Sequence, residues 1–220
     1  MNEKIYYVIL EYIPHILLVI TALPFHEFSH GYLAHKLGDD TAYYQGRLSL
    51  NPLRHLDIFG TISMLLFGYG WAKPVPINPT RFRCNMRLGM ALTALAGPVS
   101  NLILALVFMI LYKVSLAIGT AGFFLFLANI LIRVCIGNIA LAFFNLLPIP
   151  PLDGSRVLNY FLPYKAQIFV DNLERYSFMI LAGVLILDSR TDFLSNILGY
   201  AVDFFVNLFD KMTFFLDYLM

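Results

Sequence analysis

The stretch Leu17–Ala34, L-L-V-I-T-A-L-P-F-H-E-F-S-H-G-Y-L-A, places His26, Glu27 and His30 inside an apolar run. On a helix, residues four apart lie on the same face, so the two imidazoles can bind one metal ion. Glu27 lies beside them and can reach a water molecule at that ion. Two histidines and a glutamate beside lipid are costly unless something compensates them. The stretch therefore favours a metal site on a membrane helix over a helix that carries these residues by accident.

The composition of the whole chain is that of a membrane protein. Of its 220 residues 59% are hydrophobic and only 13% are charged, and the mean hydropathy is +0.72. Each span needs about 20 residues, so the chain has room for about six transmembrane helices with short connectors. We expect an all-α polytopic membrane protein in which residues 1–220 form a single domain. With a net charge of +1 and no basic block interleaved with aromatic residues, we exclude nucleic acid as a partner.

The apolar stretches give the candidate helices. In chain order they are Ile5–Leu37, Leu88–Tyr112, Ala121–Leu147, Tyr176–Leu187 and Phe193–Leu219. Asn101 is polar inside the second of these and needs a partner there. The last stretch carries aspartates spaced seven apart, at Asp203, Asp210 and Asp217, so the sequence leaves open whether it spans the membrane or lies at the interface.

The connectors predict one membrane side for the site. Residues Ile58–Ala72 are short for a span and hold three glycines, which favours a re-entrant hairpin. The alternating stretch Gly46–Leu50 predicts a short β-strand before it. The next loop contains four cations and no acid, at Lys73, Arg81, Arg83 and Arg87, which by the positive-inside rule lies in the cytosol. We therefore expect a multi-pass protein of the cell membrane with its active site, the strand and the re-entrant segment near the cytosolic side.

A catalytic zinc ion typically has three protein ligands, so a third must come from elsewhere in the chain. The extended motif that would supply a nearby histidine is absent, because Leu33 and Lys36 stand where glycine and histidine are needed. After Glu27 the next glutamate is Glu174. The aspartates of the turn-rich connector are interpreted as solvated surface charges; they are Asp39, Asp40 and Asp57.

Asp153 is the candidate third ligand. It follows a helix end broken by prolines, in the stretch N-L-L-P-I-P-P-L-D-G from Asn145 to Gly154. A carboxylate between apolar neighbours at that depth needs a cation or another strong partner, and zinc would satisfy it. The alternative is that Asp153 caps the helix that begins near Ser155.

Five motifs occur in an order that points to a known family. They are H-E-F-S-H, N-P-L-R-H-L-D-I-F-G, W-A-K-P-V-P-I-N-P, A-G-P-V-S-N and N-L-L-P-I-P-P-L-D-G. Together, over Thr21–Leu158, they resemble the site-2 protease family of intramembrane zinc metalloproteases, in particular its compact bacterial branch without PDZ or CBS domains.

The resemblance implies a role for each candidate residue. His26, His30 and Asp153 would bind zinc, one ion per chain, and Glu27 would be the catalytic base. Asn145 would bind the substrate or an intermediate, and we take it as a candidate donor to the developing oxyanion.

The sequence thus predicts a zinc metalloendopeptidase that hydrolyses peptide bonds within or near transmembrane segments, as in regulated intramembrane proteolysis. Its expected partners are a transmembrane protein or peptide substrate and the lipid bilayer, and a homo-oligomer is left open. A substrate helix must unwind before cleavage, and Arg47–Leu50 or Pro74–Ile77 are candidates to hold it as an added strand. The alternative is a non-proteolytic membrane metal-binding scaffold or transporter, which would not require Glu27.

Overall fold

The fold is built from helices that pack around two long ones. The computed structural model describes residues 3–67 and 73–219, and the regular structure in these ranges is helical, with no strand. The α-helices are α1 (Glu3–Leu17), α2 (Leu23–Lys36), α3 (Thr41–Tyr44), α4 (Ile58–Phe67), α5 (Met86–Ile118), α6 (Gly122–Asn145), α7 (Asp153–Phe161), α8 (Tyr164–Glu174), α9 (Ser177–Thr191) and α10 (Phe193–Met212). Short 3-10 turns lie at Pro52–Arg54, Pro79–Arg81 and Phe214–Leu219. The predicted all-α class is confirmed.

The helices α1 and α2 form one continuous rod, because a π-helical turn at Leu18–Ala22 joins them without a break. The Leu23 N–H donates to the Leu18 carbonyl, five residues back. Pro24 follows, and it has no N–H to donate to the preceding turn. Residues Val8–Lys36 of this rod are long and apolar enough to span a bilayer. The predicted first helix is confirmed, and its α2 part carries the metal motif.

Helix α5 is the centre of the packing. It packs against α6, α2 and α7, while α6 also packs against α1 and α10. Both α5 and α6 are long and apolar enough to cross a membrane. The helix that carries the two histidines and the helix that begins at Asp153 therefore pack against the same partner.

The surface of this bundle is apolar, while several polar side chains lie inside it. Asn101 and Asn138 are fully buried. Two lines of apolar residues four apart are each at least 41% exposed. They are Val8, Tyr12, Ile16 and Ile20 on α1 and the π-helical turn that follows it, and Val99, Ile103, Val107 and Leu111 on α5. Stripes of this size on a monomer indicate contact with an apolar medium, here the lipid of a bilayer.

The predicted number of spans is reached only in part. Three helices of the described ranges are long and apolar enough to cross a membrane, namely Val8–Lys36, Met86–Ile118 and Gly122–Asn145. Helix α9 has 15 residues, which is fewer than the about 20 that a span needs. Helix α10 has 20 residues but includes three charges, on Asp203, Asp210 and Lys211. A total of about six stays a prediction.

The predicted β-strand at 46–50 is wrong. The alternation of apolar and polar residues here does not reflect β-sheet pairing. Instead, the Arg47 guanidinium donates to the carbonyls of Lys73 and Pro74. The predicted re-entrant hairpin at 58–72 begins with α4, and residues 68–72, including Trp71, lie outside the described residues.

A buried ion pair ties the end of α5 to the C-terminal elements. Lys113 is only 2% exposed, and its Nζ lies 2.7 Å from Asp217 Oδ1 and 2.9 Å from Asp210 Oδ1. The same amine donates to the Asp210 carbonyl at 3.1 Å. Two aspartates of the seven-residue spacing therefore compensate a cation that would be costly to bury without them.

Candidate metal centre

Three side chains from two distant parts of the sequence meet at one point. His26 Nε2 lies 3.1 Å and His30 Nε2 3.2 Å from Asp153 Oδ2. The three potential ligand atoms all lie within 4.8 Å of one another, and this is the one such group in the described part of the chain. Ligands about 2 Å from a tetrahedral zinc ion lie about 3.3 Å apart. The predicted metal ligands therefore come together at a spacing that fits zinc.

The orientation of both imidazoles favours metal binding through Nε2. His30 Nδ1 lies 2.7 Å from the Thr93 carbonyl, which can only accept, so the proton is on Nδ1 and the lone pair on Nε2. Asn101 Nδ2 lies 3.1 Å from His26 Nδ1, while Asn101 Oδ1 is buried without a hydrogen-bond partner in the described residues. Exchanging the two amide atoms by a 180° rotation would give Oδ1 the Nδ1 proton and leave the His26 lone pair on Nε2. Such partners fix the tautomer and the ring orientation of metal-binding histidines.

Gly97 of α5 allows the two helices to approach closely enough for this arrangement. A Cβ atom at this position would lie 2.5 Å from His30 Nε2 and 2.6 Å from His26 Cε1. Real Cβ atoms do not approach other atoms so closely, so any side chain would displace the imidazoles. The absence of a side chain at 97 is therefore a condition for the site.

Asp153 is placed by the turn that precedes it. Residues 146–152 connect α6 to α7, and Asp153 is the first residue of α7. A Cβ on Gly154 would lie 2.1 Å from the Leu146 carbonyl oxygen, so α7 begins in direct contact with the end of α6. The N-cap position of α7 is Leu152, and no side chain caps it, so the alternative of Asp153 as a helix cap is wrong.

The electrostatics of Asp153 suit a metal ligand. Its Oδ2 atom is buried and accepts no hydrogen bond from the described residues. Burial makes an uncompensated carboxylate costly, and here it faces the Nε2 atoms of two imidazoles at 3.1 and 3.2 Å. A cation held between the three side chains would compensate that charge.

Glu27 lies next to the ligands and is held by a backbone amide. The Val75 N–H donates to Glu27 Oε2 at 3.0 Å. A carboxylate has two oxygens, so Oε1 is left for a water molecule. Because Glu27 already uses the Val75 amide, that amide is not available to an added substrate strand in this conformation.

Asn145, the predicted oxyanion donor, is the last residue of α6. Its Nδ2 donates to the Leu141 carbonyl at 2.9 Å, one turn back in the same helix. The structure thus brings together His26, His30 and Asp153, while the amide of Asn145 is engaged within α6.

The interpretation of the connector aspartates was right for Asp40 and wrong for Asp39. Asp40 has a side chain that is 43% exposed and pairs with His35. Asp39 is fully buried and accepts hydrogen bonds from the Thr41 N–H at 3.0 Å and the Asn78 N–H at 2.6 Å. A partner 39 residues away along the chain left no signal in the sequence.

Several known proteins are similar to this chain in sequence. A sequence model of peptidase family M50 matches residues 114–187, which include Asp153. The Bacillus subtilis protein named "Putative zinc metalloprotease YwhC" is 39% identical over 96% of this chain and 98% of its own length. The chain belongs to peptidase family M50.

Two further relatives extend the comparison. The Methanocaldococcus jannaschii protein named "Putative zinc metalloprotease MJ0611" is 33% identical over 69% of this chain and 72% of its own length. The Mycolicibacterium smegmatis protein named "Putative zinc metalloprotease Rip2" is 27% identical over 89% of this chain and 76% of its own length. No solved structure matches the chain.

Membership of family M50 confirms the resemblance to site-2 proteases and the predicted activity. The chain is an intramembrane zinc metalloprotease, and regulated intramembrane proteolysis is the known role of its family. The alternative of a non-proteolytic scaffold or transporter has no support in these comparisons.

Replacing Gly97 by alanine should remove zinc and activity. The added methyl group would overlap both imidazoles, although alanine at a helix interior normally stabilises by about 0.5–1 kcal/mol. Zinc content of the purified protein, measured beside its activity, checks this. Gly199→Ala in α10 is the matched control, because a Cβ there meets no atom within 4 Å. Normal zinc content in Gly97→Ala would contradict the role given to this contact.

Proposed function

We propose that His26, His30 and Asp153 hold one zinc ion per chain and that Glu27 is the general base of peptide hydrolysis. The observation that carries this proposal is the convergence of both Nε2 atoms on Asp153 Oδ2, at 3.1 and 3.2 Å, while both Nδ1 atoms face other partners. The lone pairs of three ligands then point at a shared position.

Glu27 is suited to proton transfer beside that position. Zinc, when bound, supplies Lewis-acid chemistry that activates water and polarises the scissile carbonyl. Glu27 accepts a proton from the attacking water and returns it to the leaving amine. The Val75 amide holds one oxygen of Glu27 during this transfer and leaves the other free.

We further propose the setting in which this chemistry takes place. Residues 1–220 form one intramembrane metalloprotease domain in a multi-pass protein of the cell membrane, and the substrates are transmembrane proteins or peptides that reach the site from the lipid bilayer. Support comes from the exposed apolar stripes of α1 and α5. All four proposed catalytic and ligand residues belong to one chain, so a homo-oligomer is not required to complete the site.

Substitution of Glu27 should separate hydrolysis from metal binding. Glu27→Gln keeps the size of the side chain but cannot accept the proton, so we expect wild-type zinc content and a loss of turnover of at least about 100-fold. Metal analysis and cleavage of a panel of single-span membrane proteins in reconstituted vesicles measure the two quantities.

Asp153→Ala is the companion variant for that experiment. It removes a ligand, so zinc content should fall together with activity. Wild-type turnover in Glu27→Gln would refute the assignment of the base, and full zinc content in Asp153→Ala would refute the ligand set.

We also propose that Asn145 stabilises the developing oxyanion after its amide turns away from Leu141. Asn145→Ala should then lower kcat by about 100-fold with zinc content unchanged, as expected when one oxyanion donor is lost. Asn129→Ala is a matched control on the same helix, because Asn129 Nδ2 donates to the Leu125 carbonyl four residues back in the same way. Equal and small effects of the two substitutions would assign Asn145 to helix structure alone.

The active site is proposed to face the cytosol, and a native thiol can test this. Cys84 is partly exposed in the basic loop, while Cys135 is buried. A membrane-impermeant maleimide should therefore label inside-out vesicles and leave intact cells unlabelled, with Cys84→Ser as the control for specificity. Labelling of Cys84 in intact cells would place the loop and the site on the opposite side.

A further inference from the structure

An extended segment, residues 73–78, lies across the catalytic base. Among the described residues it pairs with no strand, yet its backbone is held at both ends. At the first end, Arg47 Nη2 donates to the Lys73 carbonyl at 2.6 Å and to the Pro74 carbonyl at 3.1 Å, and the Lys73 N–H donates to the His55 carbonyl at 2.7 Å.

At the second end, Asp39 holds the segment through its last amide. The Asn78 N–H donates to Asp39 Oδ2 at 2.6 Å. Asp39 Oδ1 accepts from both the N–H and the hydroxyl of Thr41, at 3.0 and 2.5 Å. Both carboxylate oxygens therefore accept hydrogen bonds, and the side chain is fully buried. Hydrogen bonds to a charged acceptor are stronger and more directional than neutral ones, so this end is firmly fixed.

Between the two ends, Val75 donates its N–H to Glu27 Oε2. Asp39 and Glu27 are thus two carboxylates that bind the same segment three residues apart. Both are fixed to the same helix, because the Asp39 N–H donates to the Ala34 carbonyl of α2 at 2.9 Å. The position of the Val75 amide, and with it the orientation of the Glu27 carboxylate, follows from where the segment is anchored.

We propose that Asp39, with Arg47 at the other end, is a positioning residue for Glu27 that acts through residues 73–78. This inference rests on the proposed role of Glu27 as the base. Proton transfer depends on geometry, and a displacement of about 1 Å can cost about 100-fold in rate. Asp39 holds the Asn78 amide, and through residues 73–78 it sets the position of the Val75 amide that binds Glu27.

The experiment compares two adjacent aspartates. In Asp39→Asn the amide has one acceptor oxygen and cannot serve both Thr41 and Asn78, so the segment loses an anchor. We expect kcat to fall about 10- to 100-fold, with KM and zinc content close to wild type. Asp40→Asn is the matched control, since Asp40 binds His35 and not the segment, and it should retain wild-type kcat.

A double-mutant cycle separates positioning from general damage. Val75→Pro removes the N–H that reaches Glu27 and suits an extended segment that already contains Pro74 and Pro76. If Asp39 acts through that N–H, Asp39→Asn should add no further loss of kcat in the Val75→Pro background. Losses that multiply, or an effect of Asp39→Asn on KM alone, would overturn the proposal.

Arg47→Gln tests the same proposal from the other anchor if Asp39→Asn does not accumulate as folded protein. It should lower kcat without changing zinc content, and wild-type kcat in this variant would overturn the proposal. A wild-type kcat in Arg47→Gln can be told apart from a failure of the proposed function, because that failure would show as wild-type turnover in Glu27→Gln.

Discussion

The proposed metal centre depends on how closely α5 can approach α2. At Gly97 the backbone of α5 lies against the imidazoles of His26 and His30, closer than any side chain would allow. The same approach brings the Thr93 carbonyl and the Asn101 amide to the far nitrogens of the two rings. One helix therefore supplies both the space for the ligands and the partners that orient them.

This packing also resolves an electrostatic problem that a membrane imposes. Polar groups without partners are costly in an apolar medium, and a buried carboxylate is more costly still. Helix α5 provides partners for buried polar groups at two places. Its middle orients the two histidines that face Asp153. Its end carries Lys113, which pairs with Asp210 and Asp217. In each case the polar contact joins elements that are distant in sequence, so it contributes to the specificity of the fold as well as to its chemistry.

The sequence could predict the parts of the site that depend on local geometry. The spacing of His26 and His30 fixes their common face, and the proline-broken stretch before Asp153 marks an unusual carboxylate. The roles of Gly97 and Asp39 depend on contacts across the fold, and neither glycine in a helix nor aspartate in a turn is informative by itself. The polar Asn101 was recognised as needing a partner, but only the structure identifies it as His26.

The strand at 46–50 was predicted wrongly for a related reason. Its alternating pattern suggests a ladder, but Pro74 and Pro76 leave residues 73–78 with too few N–H groups to pair with it. Arg47 binds the carbonyls of that segment from its side chain instead. A side chain thus replaces the backbone pairing that the alternating pattern suggested. Such a replacement leaves no periodic signal in the sequence.

Irregular backbone lies next to each of the proposed ligands in the described part of the chain. A π-helical turn ends directly before α2, Pro98 interrupts the hydrogen bonding of α5 next to Gly97, and prolines break the chain between Asn145 and Asp153. Broken backbone at membrane depth is tolerated only where protein or a wet cavity surrounds it. Each break also sets the direction of a ligand or of its partner, since the turn into α7 determines where Asp153 points and the turn into α2 determines the face of the two histidines. Each irregular turn therefore places a side chain or its partner where a regular helix would not.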